Sequence, residues 1–155
     1  MAEKDARARP KSRSAYRRFA SFATRWRDND QYGHMNNVVY YELFDSAVNK
    51  FLIETSILDM AGANTVFLVA SSGCNYFEEV AYPSDVEIGL SVSRLGSSAV
   101  TYHLGLFIAG AERTAATGTF IHVNVDSTTK RPCAIDDPIR AKFADLVVDA
   151  AIDPY

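Results

Sequence analysis

The stretch Arg25-Trp26-Arg27-Asp28-Asn29-Asp30-Gln31-Tyr32-Gly33-His34-Met35-Asn36-Asn37, running on through Val38-Val39-Tyr40 to Glu54, decides how the rest of the chain is read. Its first half, Asp28 to Asn37, is polar and contains Gly33, the composition of a loop. Its second half has helical period. Tyr40, Phe44, Ala47, Val48 and Phe51 recur on one stripe, with Glu42, Asp45, Ser46 and Asn49 on the opposite one. Asn36 or Asn37 is the natural N-cap, because a short amide side chain can accept from the free N–H groups of the first turn. The spacing predicts a helix from about Asn37 to Glu54, roughly 27 Å long at ~1.5 Å per residue. A helix with so broad an apolar stripe needs a broad apolar partner.

The flanking sequence supplies that partner as strands. Upstream, Phe19, Phe22, Thr24 and Trp26 read as a loosely alternating strand. Downstream, Val66 to Val80 is long and mostly apolar, and Tyr82-Pro83 breaks it. Val86, Ile88, Leu90 and Val92 alternate with polar residues, and Tyr102, Leu104, Leu106 and Ile108 do the same. A last strand sets Thr119, Ile121, Val123 and Val125 on one face and Phe120, His122 and Asn124 on the other. Ile139 to Val148 reads as a short terminal helix. One strand, one long helix and four strands in meander spacing give an α+β fold, a five-stranded curved antiparallel sheet wrapped around the helix.

The 155 residues suffice for one domain, with 48% apolar and 23% charged residues. Two cysteines, Cys74 and Cys133, exclude a disulfide scaffold and point to a reducing, cytoplasmic setting. No apolar run reaches the ~18–20 residues of a membrane span. The net charge of −3 hides an asymmetry. Residues 1–18 carry seven Lys/Arg against two acids, so the remainder carries −8. A basic leader on an acidic body is not a nucleic-acid-binding domain. The leader lacks the apolar core of a secretory signal, and residues 1–16 read as a disordered tail ahead of one domain at 17–155.

The quoted stretch resembles the D-x-D-x-x-G-H-[VM]-N-N-x-x-Y signature of hotdog-fold thioesterases of the 4-hydroxybenzoyl-CoA thioesterase type. The likeness continues through Asp85, Leu95-Gly96-Ser97-Ser98, Gly118 to Asp126 and Arg131-Pro132, covering about residues 19–140. It implies a hotdog fold, a homo-oligomer (a dimer or a tetramer) and hydrolysis of an acyl thioester, most directly acyl-CoA, with no cofactor. It also implies that Asp30 is the catalytic base or nucleophile. Backbone N–H groups at Asn37 and its neighbours would be the oxyanion donors, in keeping with the partial positive charge of a helix N-terminus.

Other residues of the loop carry secondary roles. His34 is a candidate for positioning or proton transfer. Gly33 suits a positive φ, and Asn36, Val38 and Tyr40 are candidates for contact with substrate, though Tyr40 also suits core packing. Asp28 reads as a solvated strand-end charge and Cys74 as inert core. Ser71 and Ser72, in the middle of a strand, are candidates to reach the pocket of a second subunit. Arg94, Lys130 and Arg131 are candidates for the phosphates of coenzyme A. No clustered ligand set predicts a metal. A carrier-protein thioesterase and a non-catalytic acyl-binding protein of the same fold are the alternatives. A hotdog hydratase fits less well, since Asp30 and His34 do not have the D-x₅-H spacing of those enzymes.

Overall fold

The computed structural model describes residues 7–58 and 64–149. Five strands, β1 (Arg18–Ala23), β2 (Thr65–Tyr76), β3 (Asp85–Leu95), β4 (Ala99–Ile108) and β5 (Ala116–Asp126), form one antiparallel sheet in the order β1-β3-β4-β5-β2. One long helix, α1 (Asn37–Glu54), crosses the inner face, and a short helix, α2 (Asp137–Phe143), follows the last strand. This is the sheet-around-helix architecture expected from the periodicity, with α1 at the bounds the sequence predicts.

Helix α1 buries Val39, Tyr40, Phe44, Ala47, Val48, Phe51 and Leu52. They meet Val86, Ile88, Leu90 and Val92 of β3 and Tyr102, Leu104 and Leu106 of β4 in one core. Each large side chain so buried contributes about 1.5–3 kcal/mol. Close approach has one sharp requirement. A Cβ on Gly118 would stand 2.7 Å from the Phe44 ring, so β5 needs glycine where the helix presses on it.

Several sequence readings are corrected. The four later strands are not one meander. β3, β4 and β5 are sequential neighbours, but β2 crosses to the far edge and pairs with β5, Tyr76 opposite Ala116. Trp26 is not in the first strand but in a 3₁₀ turn, Trp26–Asp28, where the chain leaves the sheet. β2 ends at Tyr76, so Phe77 to Val80 form a connection rather than a strand end. The terminal helix is shorter than read and closes in a 3₁₀ turn, Ala144–Leu146.

The leader is the largest correction. Residues 1–6 lie outside the described residues, but Lys11 to Tyr16 are bonded to the outer face of the sheet. Lys11 and Thr114 exchange two hydrogen bonds at 2.9 Å, and Ser12 pairs with Arg113. The Arg13 guanidinium donates to the Ala111 carbonyl, ion-pairs with Glu87 at 2.7 Å and lies 4.8 Å from the Phe107 ring centroid. Tyr16 fills the space over Gly89 and Gly105, where added Cβ atoms would fall 2.6 and 2.4 Å from its ring. The physical reason is apolar cover: Phe19 and Phe107 project from the outer face, and the strap shields them. Among the described residues no helix is long and apolar enough to cross a membrane.

Candidate active site

The loop ahead of α1 folds back on itself. Asn29 and Met35 pair antiparallel, the Asp30 N–H donates to the His34 carbonyl at 2.8 Å, and the Gly33 N–H donates to the Asp30 carbonyl at 3.1 Å. Gly33 has φ +79°, the left-handed conformation the sequence reading expected of it. The Asp30 carboxylate works inside this turn. Its Oδ1 accepts from the N–H groups of Tyr32 at 2.8 Å and His34 at 3.3 Å. Its Oδ2 accepts no hydrogen bond among the described residues.

The turn is anchored below by Asp28, which is not the solvated charge the sequence suggested. Its side chain is buried, accepting from the Arg25 N–H at 2.8 Å and ion-paired with the Arg25 guanidinium at 2.9 Å. Its carbonyl accepts from the Asn36 N–H at 2.8 Å. A short 3₁₀ turn needs an acceptor for its own free N–H, and that need draws the carboxylate inward. Asn36 is the N-cap of α1, its Oδ1 accepting from the Val38 N–H at 3.0 Å. The cap leaves the next donor free: among the described residues the Asn37 N–H has no acceptor. Val38 N–H, by contrast, is already occupied.

Asp30, His34, Met35, Asn37 and Tyr40 line one side of an open cleft of 430 Å³. Tyr76, Phe77, Glu78, Glu79 and Val80 line the other. The two sides are tied by the Met35 N–H to the Val80 carbonyl, 2.6 Å, and by the Tyr82 N–H to Asn29 Oδ1, 3.1 Å. His34 Nε2 stands 3.1 Å from Glu79 Oε2 across the mouth. Tyr40 belongs to both core and cleft. It is 4% exposed, and its ring meets Tyr76 edge-on at 4.9 Å. Burial pushes its hydroxyl up to about 12, so it stays protonated at neutral pH. Burial also raises the Cys74 thiol, which disfavours the reactive thiolate.

The sequence candidates therefore separate. Asp30, His34, Asn37 and Tyr40 come together in the cleft. Gly33, Asn36 and Val38 shape the turn and the cap but do not line it. Ser71 and Ser72 sit in mid-β2, exposed, away from their own chain's cleft. Arg94, Lys130 and Arg131 lie at the opposite end of the sheet. The cleft borders the Tyr76–Ala116 end of the β2–β5 pair, and Lys130 follows the Thr65–Asp126 end. Sequence reasoning missed Met35 and the whole wall from Tyr76 to Val80. The acidic pair Glu78-Glu79, interrupting an apolar run, was the available signal. Among the described residues no group of three or more His, Cys, Asp or Glu gathers as a metal site.

Comparison with known proteins follows this geometry. The family model of the thioesterase-like superfamily matches residues 24–143, the span from just after β1 to the end of α2. The PA5185 protein of Pseudomonas aeruginosa is 46% identical, with a TM-score of 0.86 over 92% of this chain and 99% of that one. The PA2801 protein of the same organism is 30% identical, with a TM-score of 0.75 over 83% and 99%. Slr0204 of Synechocystis, a 1,4-dihydroxy-2-naphthoyl-CoA thioesterase, shares the fold at 11% identity, with a TM-score of 0.74 over 83% and 96%. With its hotdog architecture and a family match across most of its length, the chain belongs to the thioesterase-like superfamily.

Proposed function

We propose that the protein hydrolyses acyl thioesters, with acyl-CoA as the substrate and free acid and coenzyme A as products. The observation that carries this reading is a pairing of opposites in one cleft. Asp30, whose Oδ2 accepts no bond among the described residues, and Asn37, whose N–H has no acceptor among them, line the same cleft. Thioester hydrolysis needs a group to deliver the oxygen nucleophile and a donor to hold the oxyanion.

Asp30 Oδ2 takes a proton from water as the water oxygen adds to the thioester carbonyl, or it attacks that carbon itself. The carbonyl oxygen becomes an oxyanion held by the Asn37 N–H, at the positive end of α1. The C–S bond breaks as the oxyanion collapses, and the thiolate leaves as coenzyme A. In the base route the proton held by Asp30 neutralises the thiolate; in the nucleophile route water then cleaves the acyl-aspartate. His34, held to Glu79, positions the rim of the cleft. Support also comes from a distant structural relative that acts on a CoA thioester.

The working unit is read as a homodimer, with a tetramer as a further assembly. Edge strand β2 leaves Leu68 and Val69 about half exposed, at 45% and 50%, along an unpaired backbone. A long apolar edge of this kind invites pairing with a second copy, and a twofold axis closes it. That pairing is also the route by which Ser71 and Ser72 would approach a neighbour's site.

Thiol release from short, long, branched and aromatic acyl-CoAs, measured with a colorimetric reagent, tests the reading. Wild type should turn over at least one class and Asp30→Ala should not. Release from carrier-protein thioesters alone would move the substrate to the carrier protein. Tight ligand binding without release from any thioester would make the protein a binding homologue.

A further inference from the structure

Behind the wall of the catalytic cleft lies a second one. It encloses 480 Å³ and is lined by Arg9, Pro10, Phe77, Glu78, Arg113 and Thr114. The leader strap builds half of it. Because Lys11 and Thr114 exchange hydrogen bonds and Ser12 pairs with Arg113, the residues just before them bring Arg9 alongside Arg113. Both side chains are exposed, and among the described residues neither guanidinium has an ion-pair or hydrogen-bond partner. Arg13, Arg18 and Arg25 are engaged instead, Arg13 with Glu87, Arg18 with Glu54, and Arg25 with Asp28 and Glu42; what sets Arg9 and Arg113 apart is that they line one concave space together.

The two clefts share Phe77 and Glu78. The N–H groups of both residues donate to the Ala115 carbonyl, at 2.8 and 3.1 Å, and Ala115 follows Arg113-Thr114 directly. The shared wall is thus fastened to the segment that carries the cations. An extended substrate with its reacting end at Asp30 would pass Phe77 into a space lined by two guanidinium groups unpaired among the described residues and one carboxylate, Glu78. Guanidinium forks match phosphate oxygens two by two, and the apolar faces of Phe77 and Pro10 flank them.

We propose that the Arg9–Arg113 cleft binds the phosphates of the substrate's carrier arm, the diphosphate of coenzyme A. This rests on the thioester reading above and assigns it a specificity site. Two cations in a concave space suit a diphosphate, whereas a carrier-protein arm offers one phosphodiester. The site replaces Arg94, Lys130 and Arg131, which stand at the other end of their own chain's sheet.

Calorimetric titration tests the proposal without depending on turnover. Free coenzyme A and pantetheine, the same arm without phosphate, are titrated into wild type, Arg9→Ala, Arg113→Ala and the double variant. Coenzyme A should bind wild type well above pantetheine. Each substitution should weaken coenzyme A roughly tenfold and shrink its advantage over pantetheine, as expected for loss of a charge-assisted contact. Glu78→Gln should strengthen coenzyme A. In turnover, the loss should appear in KM for the CoA ester, and the preference for it over the N-acetylcysteamine ester should collapse. Variants that bind coenzyme A like wild type overturn the proposal, as does a wild type that does not prefer coenzyme A to pantetheine. A stronger arginine effect on carrier-protein esters than on CoA esters overturns the diphosphate assignment. Arginine-dependent coenzyme A binding without hydrolysis of any thioester leaves this site standing and removes the hydrolytic reading.

Discussion

The two walls of the candidate cleft are held by different means. The Asp28–Asn37 wall closes on itself, with Asp30, Gly33, His34 and Asn36 bonded to partners within a few residues. The Tyr76–Val80 wall takes its place from elsewhere: Phe77 and Glu78 hang from Ala115, and Val80 accepts from Met35. The first wall is written in consecutive residues and holds the groups to which the proposed chemistry is assigned. The second is placed by the register of β2 on β5, which sets Tyr76 opposite Ala116. Local bonding therefore fixes the candidate reacting groups, and long-range pairing fixes the shape around them.

The sharpest way to break this division is Asp30→Asn. The amide retains an oxygen for the Tyr32 and His34 N–H groups, so the turn should survive. Only the charge and the basic oxygen are lost, and kcat should fall by about 10²–10⁴. Unchanged circular dichroism with near-normal turnover would move the chemistry off the self-closed wall. Asp28→Ala attacks the placing of that wall instead. It removes the acceptor for the Arg25 N–H and the partner of the Arg25 guanidinium. The bond from the Arg25 N–H to the buried Asp28 carboxylate is worth about 2 kcal/mol, read by chemical denaturation, and the solvent-exposed guanidinium adds little. Turnover should also drop, by less than in Asp30→Asn, because Asp30 remains while the chain beneath it loosens. Full stability in Asp28→Ala would show that the turn stands without its anchor.

The same division explains what the sequence made legible. Helix α1 and its cap were readable because period and capping are local. Asp30, His34 and Asn37 were readable because they fall within eight residues. The edge position of β2, the far wall and the docked strap were not, since each depends on partners dozens of residues away. β5 is the instructive case. Alternation divides it into two faces but does not say which is inward, and the structure buries Phe120, His122 and Asn124. The face with Phe120, His122 and Asn124 goes inside because α1 packs over it, Tyr41 and Phe44 meeting Phe120 and Phe44 pressing on Gly118.

That choice has a pH consequence. His122 is 3% exposed, its ring 5.0 Å from that of Tyr102, with Asp45 of α1 the charged group acting on it. Burial lowers its pKa, against a smaller opposing pull from Asp45. The folded state then binds fewer protons than the unfolded one. Stability should be complete above the unfolded value of about 6.5 and fall as pH drops toward the lowered folded value. The slope is at most about 1.4 kcal/mol per pH unit. His122→Gln should flatten that limb in urea titrations at pH 5 to 7; an unaltered limb would place the titration on another group.

The smallest effect is expected where the two walls meet through side chains. His34 and Glu79 are 3.1 Å apart, but their side chains are 44% and 77% exposed. A contact so open to water is worth about 0.2–1 kcal/mol and weakens with salt. The backbone ties between Met35 and Val80 and between Tyr82 and Asn29 remain when it is cut. Glu79→Gln and His34→Gln should therefore lower stability by no more than about 1 kcal/mol and turnover by no more than several-fold, through KM. The pH profile separates positioning from proton transfer. If His34 only positions the rim, the profile of His34→Gln keeps the wild-type shape. If it carries a proton, one limb of the profile disappears and kcat falls by two orders of magnitude or more, and the side-chain tie then belongs to the chemistry rather than to the shape.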